Sequence, residues 1–574
     1  MIRLPSSPFS HPSASGGRRV LTASSICLAW FVVATVDVQI ARADDADSVQ
    51  RPEMCDRIDA RIESVWTDWE MRPSAETDDA TWCRRVFLDL IGRIPSVDEL
   101  ESFTDDRSSQ KDVALVQRLL HDEKYTAEYA NHWAGIWTNL LIGRSGGMDR
   151  RSLTDRSGMQ KYLRDSFAGN RTYDKIVYDM ITATGSTKPG TENFNGAVNF
   201  LVDKVNAEKG TLATSSTSRI FLGQQVQCTQ CHNHPFNQWK QQKFWEFNSF
   251  FRQTRALRRF QSGTRDIDHA ELIDQDFAGE AGDPDDALVF YELRNGLTKV
   301  AYPVFTDGTE VDVSGFVSDV NRRQELARLM LQSEFLDKMI VNRMWAHFLG
   351  YGFTRPIDDL GPHNPPTHPE LLDELAAEFR RSSYDLKKLQ AWITLSRPYR
   401  LSATKNATNE LDDPSVGETP KFSRFYLRQM SAEQLYQSLL TATGATPEGS
   451  YEEQEQQRRR WLQQFVVAFG TDEGDEATTF NGSIPQALML FNGELTRRAT
   501  KTETGGFLDR LARTSKSPRE SVRRLFLAGL ARQPTAPEIR IAGKLMAARG
   551  GDQKEMLGDM WWAILNSNEF IMQH

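Results

Sequence analysis

Apolar residues spaced three and four apart recur along almost the whole of this 574-residue chain. That spacing constrains the fold more than any other feature. It makes one face of a helix apolar, and each such face must be covered by another element. Val86, Leu90 and Ile91 share a face within 84–92, and Pro95 is placed to stop that helix. Residues 113–120 and 129–141 repeat the pattern, as do 321–332, 335–349, 368–381, 385–396, 431–443, 454–468, 517–531, 535–548 and 555–566. Polar breaks fall near 402–422 and 470–483. Residues 262–287 are polar and acidic and predict a loop. Behind them, 289–293 and 298–304 flank Asn295-Gly296, the dipeptide of a two-residue hairpin turn. The fold class expected is mainly α, with two helical domains and a small β-hairpin insertion between them.

The N-terminus predicts export. Arg18 and Arg19 precede an apolar stretch, 20–36, and Ala41-Arg42-Ala43 follows as a cleavage site, so 1–43 reads as a signal peptide. The stretch contains Thr22, Ser24, Ser25 and Thr35, which argues against a membrane anchor, and Ile26 before Cys27 does not fit a lipoprotein site. No later segment is apolar enough to span a bilayer, so no stable span is expected after cleavage. The formal net charge is −9, and removing a leader with four arginines and one aspartate makes it more acidic. Without a basic run, nucleic acid is not an expected partner.

Cleavage leaves Cys55, Cys83, Cys228 and Cys231 in an oxidising compartment, periplasmic or secreted. Cys228-Thr229-Gln230-Cys231-His232 carries the chemistry. Two thiols in a Cys-x-x-Cys can reach the two vinyl groups of a porphyrin, and the imidazole that follows can ligate iron from the same side. A polar run at 214–217 predicts caps for a helix at 218–227, with the motif at its C-terminal end. Other readings stay open: a Cys228–Cys231 disulfide, a redox dithiol (though without βαβ context), or a metal such as zinc held with His232 or His234.

A sixth iron ligand would come from elsewhere. His132, on a helix in Asn131-His132-Trp133, is the first choice. His347, His363 and His368 are more remote, each histidine also has a plain structural reading, and a methionine is equally possible as the ligand. The aromatic run Phe236, Trp239, Phe244, Trp245, Phe247, Phe250 and Phe251 reads as core, with Phe244, Phe247 and Phe251 on one side of a helix at 243–252; it could alternatively wall a porphyrin. In 358–370, Asp358, Asp359, His363 and His368 could bind a cation. The reading preferred there is a capping box, with Thr367 and Glu370 opening a helix at His368 and Pro369 in its first turn. No nucleophile elbow, phosphate loop or His-Glu-x-x-His motif occurs, so no enzymatic activity is assigned.

Several strings carry a resemblance. Residues 84–95, Arg-Arg-Val-Phe-Leu-Asp-Leu-Ile-Gly-Arg-Ile-Pro, resemble the opening of a planctomycete cytochrome-C-like domain of unknown function. Phe221-Leu222-Gly223, the Cys228–Phe236 string and Trp239 resemble that domain's hallmark. Asn342-Arg343-Met344-Trp345-Ala346-His347-Phe348-Leu349-Gly350, His368-Pro369-Glu370-Leu371-Leu372-Asp373 and the closing 565–570 resemble the planctomycete-specific domain that follows it. The resemblance implies a cytochrome-like helical domain at 50–255, an insertion at 256–317, and a planctomycete-specific helical domain at 318–574. It also implies haem binding at Cys228, Cys231 and His232. The function expected is an exported protein binding haem c and serving electron transfer or redox chemistry with a cell-envelope partner. The alternative is a non-haem exported scaffold or binding protein with a disulfide or bound metal.

Overall fold

Helices dominate the computed structural model, which describes residues 50–149, 151–206, 208–444 and 506–574, with isolated positions between 450 and 502. The expected leader at 1–43 lies outside the described residues, and the helix at 454–468 and the break at 470–483 lie largely outside them. The first half folds as α1 (Glu53–Asp68), α2 (Asp79–Ile91), α3 (Val97–Asp105), α4 (Lys111–His121), α5 (Glu123–Ile142), α6 (Arg156–Ala168), α7 (Tyr173–Thr182), α8 (Thr211–Leu222) and α9 (Gln241–Asn248). The second holds α10 (Arg322–Gln332), α11 (Glu334–Leu349), α12 (Pro369–Arg381), α13 (Leu386–Thr394), α14 (Arg397–Arg400) and α15 (Ala432–Thr443). Then come α16 (Phe507–Thr514), α17 (Pro518–Leu530), α18 (Ala536–Ala548), α19 (Gln553–Leu565) and α20 (Asn568–Ile571). Among the described residues no helix is long and apolar enough to cross a membrane.

The fold is mainly α, but the two helical halves do not keep separate cores. One apolar cluster takes Ile58 and Trp66 of α1, Val86 of α2 and Trp133 of α5 together with Trp345 of α11, Phe379 of α12 and Tyr399 of α14. Each buried aliphatic or aromatic side chain stabilises by about 1.5–3 kcal/mol, so this shared core ties the halves together. A second cluster gathers α15 and the C-terminal helices around Trp561, and includes Leu88 of α2.

The string 84–92 sits at this junction. Asp78 caps α2, accepting from the Thr81 N–H at 2.9 Å. The helix stops at Gly92, in the left-handed region at φ +78°, ahead of the expected stop at Pro95. Arg84 is fully buried and donates to the carbonyls of Gly529 and Phe570, both at 2.8 Å. Arg85 donates to the carbonyls of Tyr399 and Leu401 and lies 3.5 Å above the Phe425 ring. Neither has a carboxylate at hydrogen-bonding distance, and burial pushes their pKa values down to about 10 and about 9.

Three local expectations are corrected. The run 214–217 does not cap a helix but lies inside α8, because Thr214 and Ser215 turn their hydroxyls back onto the carbonyls of Gly210 and Thr211 at 3.2 and 3.1 Å. Residues 262–287 are not all loop. β3 (Ile267–Asp274) pairs antiparallel with β2 (Thr254–Phe260) and with the short β1 (Gly185–Ser186). The capping box at Thr367 does not form. Thr367 Oγ1 bonds His368 Nδ1 at 2.7 Å, Glu370 pairs with Arg61, and α12 begins at Pro369 without a side-chain cap.

The hairpin forms as β4 (Val289–Glu292) and β5 (Thr298–Ala301), but its turn is longer than the Asn-Gly pair predicts. Of that pair only Gly296 has positive φ, at +80°. Its N–H donates to the Leu293 carbonyl at 2.8 Å, while the Leu293 N–H donates to the Leu297 carbonyl at 2.9 Å. That is a four-residue turn closed by a left-handed glycine. A further strand pair joins β6 (Arg428–Gln429) to β7 (Met572–Gln573).

Candidate functional site

The Cys-x-x-Cys-His string lies beyond α8, not at its end as expected. Gly223 stops the helix in the left-handed region at φ +62°. A Cβ there would come within 2.7 Å of Met339 Sδ and 2.9 Å of Leu360 Cδ1, so any other residue would have to push these side chains aside and hold a left-handed backbone. The chain then makes a single 3₁₀ turn, Gln227–Gln230. Thr229 points inward, its hydroxyl and N–H both bonded to the Val226 carbonyl at 2.6 and 2.9 Å. With Thr229 buried, Cys228 and Cys231 on either side of it are both exposed, and both are free thiols.

Helix α9 and the insertion buttress this turn. The Gln230 carbonyl accepts from Trp245 Nε1 and Gln241 Nε2, both at 3.1 Å, and Gln241 Nε2 also reaches the Glu292 carbonyl at the end of β4 at 2.9 Å. Beneath it, Val226, Phe244, Trp245, Val289 and Tyr291 form their own apolar cluster, with Trp245 stacked on Tyr291 at 6.1 Å. Phe247, Phe250 and Phe251 belong to the main core, as the bland reading of the aromatic run expects. The helix carrying them is interrupted, since α9 ends at Asn248 and Ser249–Phe251 continues as a 3₁₀ turn. Phe236 alone among the phenylalanines of the run is fully out, at 88 % exposed.

The two histidines of the string hold their protons on different nitrogens. His232 Nδ1 lies 2.7 Å from the Asn233 carbonyl oxygen. A carbonyl has no proton to give, so Nδ1 carries it and Nε2 keeps a lone pair. His234 is the reverse. Its Nδ1 accepts from the backbone N–H groups of Phe236 and Asn237 at 3.3 and 3.1 Å, which places its proton on Nε2. Only His232 presents Nε2 as a ligand atom, in the arrangement that orients metal-bound imidazoles. Among the described residues no three His, Cys, Asp or Glu side chains gather closely enough to hold a bare metal ion.

His132 stands elsewhere. It is half-buried on α5, its ring 5.5 Å from Trp133 and 6.4 Å from His347, and it lines a groove with the end of α2 and the start of α15. None of Cys228, Cys231 and His232 lines that groove. Burial pushes the pKa of both His132 and His347 down to about 3, and that of His368 to about 4. His363 bonds Asp359 at 2.8 Å, and Asp358 holds Arg219 and Gln225, so the constellation at 358–370 spends its groups internally. Cys55 and Cys83 are buried and free, and burial pushes the Cys55 thiol up to about 12.

Sequence reasoning missed Asn233, Gln241 and Glu292 as parts of the site. No local pattern marks them, because Asn233 and Glu292 act through backbone carbonyls, and Gln241 through an amide of α9 that bridges the turn to β4.

Comparison with known families finds two matches. Residues 57–256 match PSCyt2, described as a protein of unknown function (DUF1549), and residues 322–476 match PSD1, a protein of unknown function (DUF1553). No curated protein and no solved structure matches the chain.

Proposed function

The chain belongs to the family that carries a PSCyt2 domain followed by a PSD1 domain, and from that premise we propose that it is an exported haem c protein serving electron transfer or redox chemistry. Cys228 and Cys231 would hold the haem through two thioethers, each S–H adding across one vinyl group with no leaving group. His232 would ligate the iron through Nε2. The bound group supplies a one-electron iron couple. The chain's own residues do the rest. Thr229 fixes the turn so that both thiols face outward, Trp245 and Gln241 hold its last carbonyl, and Asn233 orients the imidazole.

The observation that carries this reading is the His232 tautomer beside two free, outward-facing thiols. A redox partner in the cell envelope and a periplasmic or secreted location follow from the reading of the leader.

The test is covalent retention. The chain is expressed with its leader and with haem c maturation machinery, then denatured in alkaline pyridine. A haemochrome spectrum that stays with the polypeptide, and disappears in the C228S/C231S variant, is expected. A colourless product whose intact mass is two hydrogens short would replace haem with a Cys228–Cys231 disulfide, and a mass gain equal to a metal ion would replace it with a metal site.

A further inference from the structure

The groove that His132 lines has no place in the haem reading. Its walls are the end of α2, one face of α5 and the start of α15, so it lies where the two family matches meet. On α5 the lining positions Glu128, Asn131, His132, Gly135, Ile136 and Asn139 fall three and four apart, which places them on one side of the helix.

Gly135 is the telling residue. Glycine inside a helix costs about 1 kcal/mol relative to alanine, and packing usually explains it. Here a Cβ at Gly135 would meet nothing within 4 Å. Its backbone φ is not positive either. Neither sterics nor backbone conformation asks for glycine, and its effect is to keep the groove wide.

The groove's charges cancel. Arg93 is matched by Glu99, at 2.8 and 3.0 Å, and by Glu128, at 3.1 Å. Arg144 is matched by Glu433 at 3.3 Å. No net positive charge waits for an anion. The open polar groups are neutral. The side-chain amides of Asn131 and Gln437 have no partner among the described residues, and the half-buried His132 ring lines the wall beside them.

We propose that this groove binds a small neutral polyhydroxylated molecule, of the size of a monosaccharide. Hydroxyls both donate and accept, as the two amides require. Ile136 offers the apolar contact that sugar C–H faces take. The site is independent of the haem motif.

The experiment is calorimetry and ligand-observed NMR on the exported chain. The neutral probes are D-glucose, N-acetyl-D-glucosamine and myo-inositol, the anionic ones sodium phosphate and sodium acetate, and the zwitterion is glycine. At least one neutral probe is expected to bind. Gly135→Leu, which fills the groove, should abolish binding, and Gln437→Ala should weaken it tenfold or more. Gly135→Ala serves as the folding control, and its thermal midpoint should equal or exceed that of the parent. The proposal is overturned if no neutral probe binds, if phosphate, acetate or glycine binds more tightly, or if binding survives Gly135→Leu.

Discussion

The Tyr399 hydroxyl donates to the Asp89 carboxylate at 2.7 Å, joining α14 to α2 across the junction of the two halves. Arg428 reaches the same oxygen at 2.8 Å, and Asp89 is completely buried. Removing one partner of such a set leaves the others buried and unpaired. Tyr399→Phe is therefore expected to lower the unfolding free energy by about 1–2 kcal/mol. Asp89→Ala strands Arg428, and the loss should be about 3–5 kcal/mol. Urea denaturation followed by tryptophan fluorescence measures both. Equal losses would mean that the carboxylate and Arg428 do not act as a pair.

Acid should loosen the same junction. His132 and His347 have folded-state pKa values near 3, against about 6.5 in an unfolded chain. Between those values the unfolded state binds protons that the folded state refuses, so stability falls as pH drops from about 6.5 toward 3. Each histidine contributes a slope of up to about 1.4 kcal/mol per pH unit. The charged groups around them are Arg428, which disfavours protonation of His347, and Asp89 and Glu433, which favour protonation of His132 but do not outweigh burial. The H132Q/H347Q variant should show a flatter profile of urea midpoint against pH over that range. In the parent, both imidazole NMR signals should remain those of neutral rings at pH 5.

The strings that carry the family resemblance divide by what they do, and this decides how much was legible. In 84–92, the arginines, Asp89 and Gly92 stitch α2 to the second half. In 342–350, Asn342 closes the turn behind α11, donating to Thr354 and to the Ile357 carbonyl at 2.8 Å and accepting from the Phe353 N–H. In 565–570, Ser567 caps α20 and Phe570 lends its carbonyl to Arg84. The helices themselves were legible from their apolar spacing, because burial of one face is a local pattern. The common core was not, since nothing in a helix's own sequence says which helix covers it. β3 escaped notice for a similar reason. Asp268 and Glu271 on it pair with Lys188 and Arg259, and His269 bonds Asp268, so the strand reads as polar loop. The candidate site was read from five residues, while its buttress, made of the Gln241 amide and Trp245 ring of α9 and the Glu292 carbonyl of the insertion, was not legible.

Cys55, Cys83, Cys228 and Cys231 should separate cleanly in reactivity. Cys228 and Cys231 are exposed, whereas Cys55 and Cys83 are buried and desolvation holds both thiols protonated. In protein made without haem and kept reduced, maleimide should label two thiols quickly and the other two only on unfolding. Intact mass against time gives the count. Fast labelling of Cys55 would show that α1 opens from its seat on α12–α14 under native conditions.

The contrast between His232 and His234 yields the sharpest prediction about the motif. Their rings sit on one turn, but the Asn233 carbonyl fixes the Nδ1 proton of His232, while the backbone amides of Phe236 and Asn237 take the Nδ1 lone pair of His234. Ligation by His234 would cost it one of those hydrogen bonds or its Nε2 proton; His232 ligates without rearrangement. In the haem-loaded protein, His232→Ala should therefore shift the Soret band and raise the affinity for added imidazole at least tenfold, because a ligand position falls vacant. His234→Ala should leave the Soret band in place and change only the local turn, seen as faster amide exchange at Phe236 and Asn237. If the two variants shift the band equally, the tautomers do not select the ligand, and the assignment of His232 falls with them.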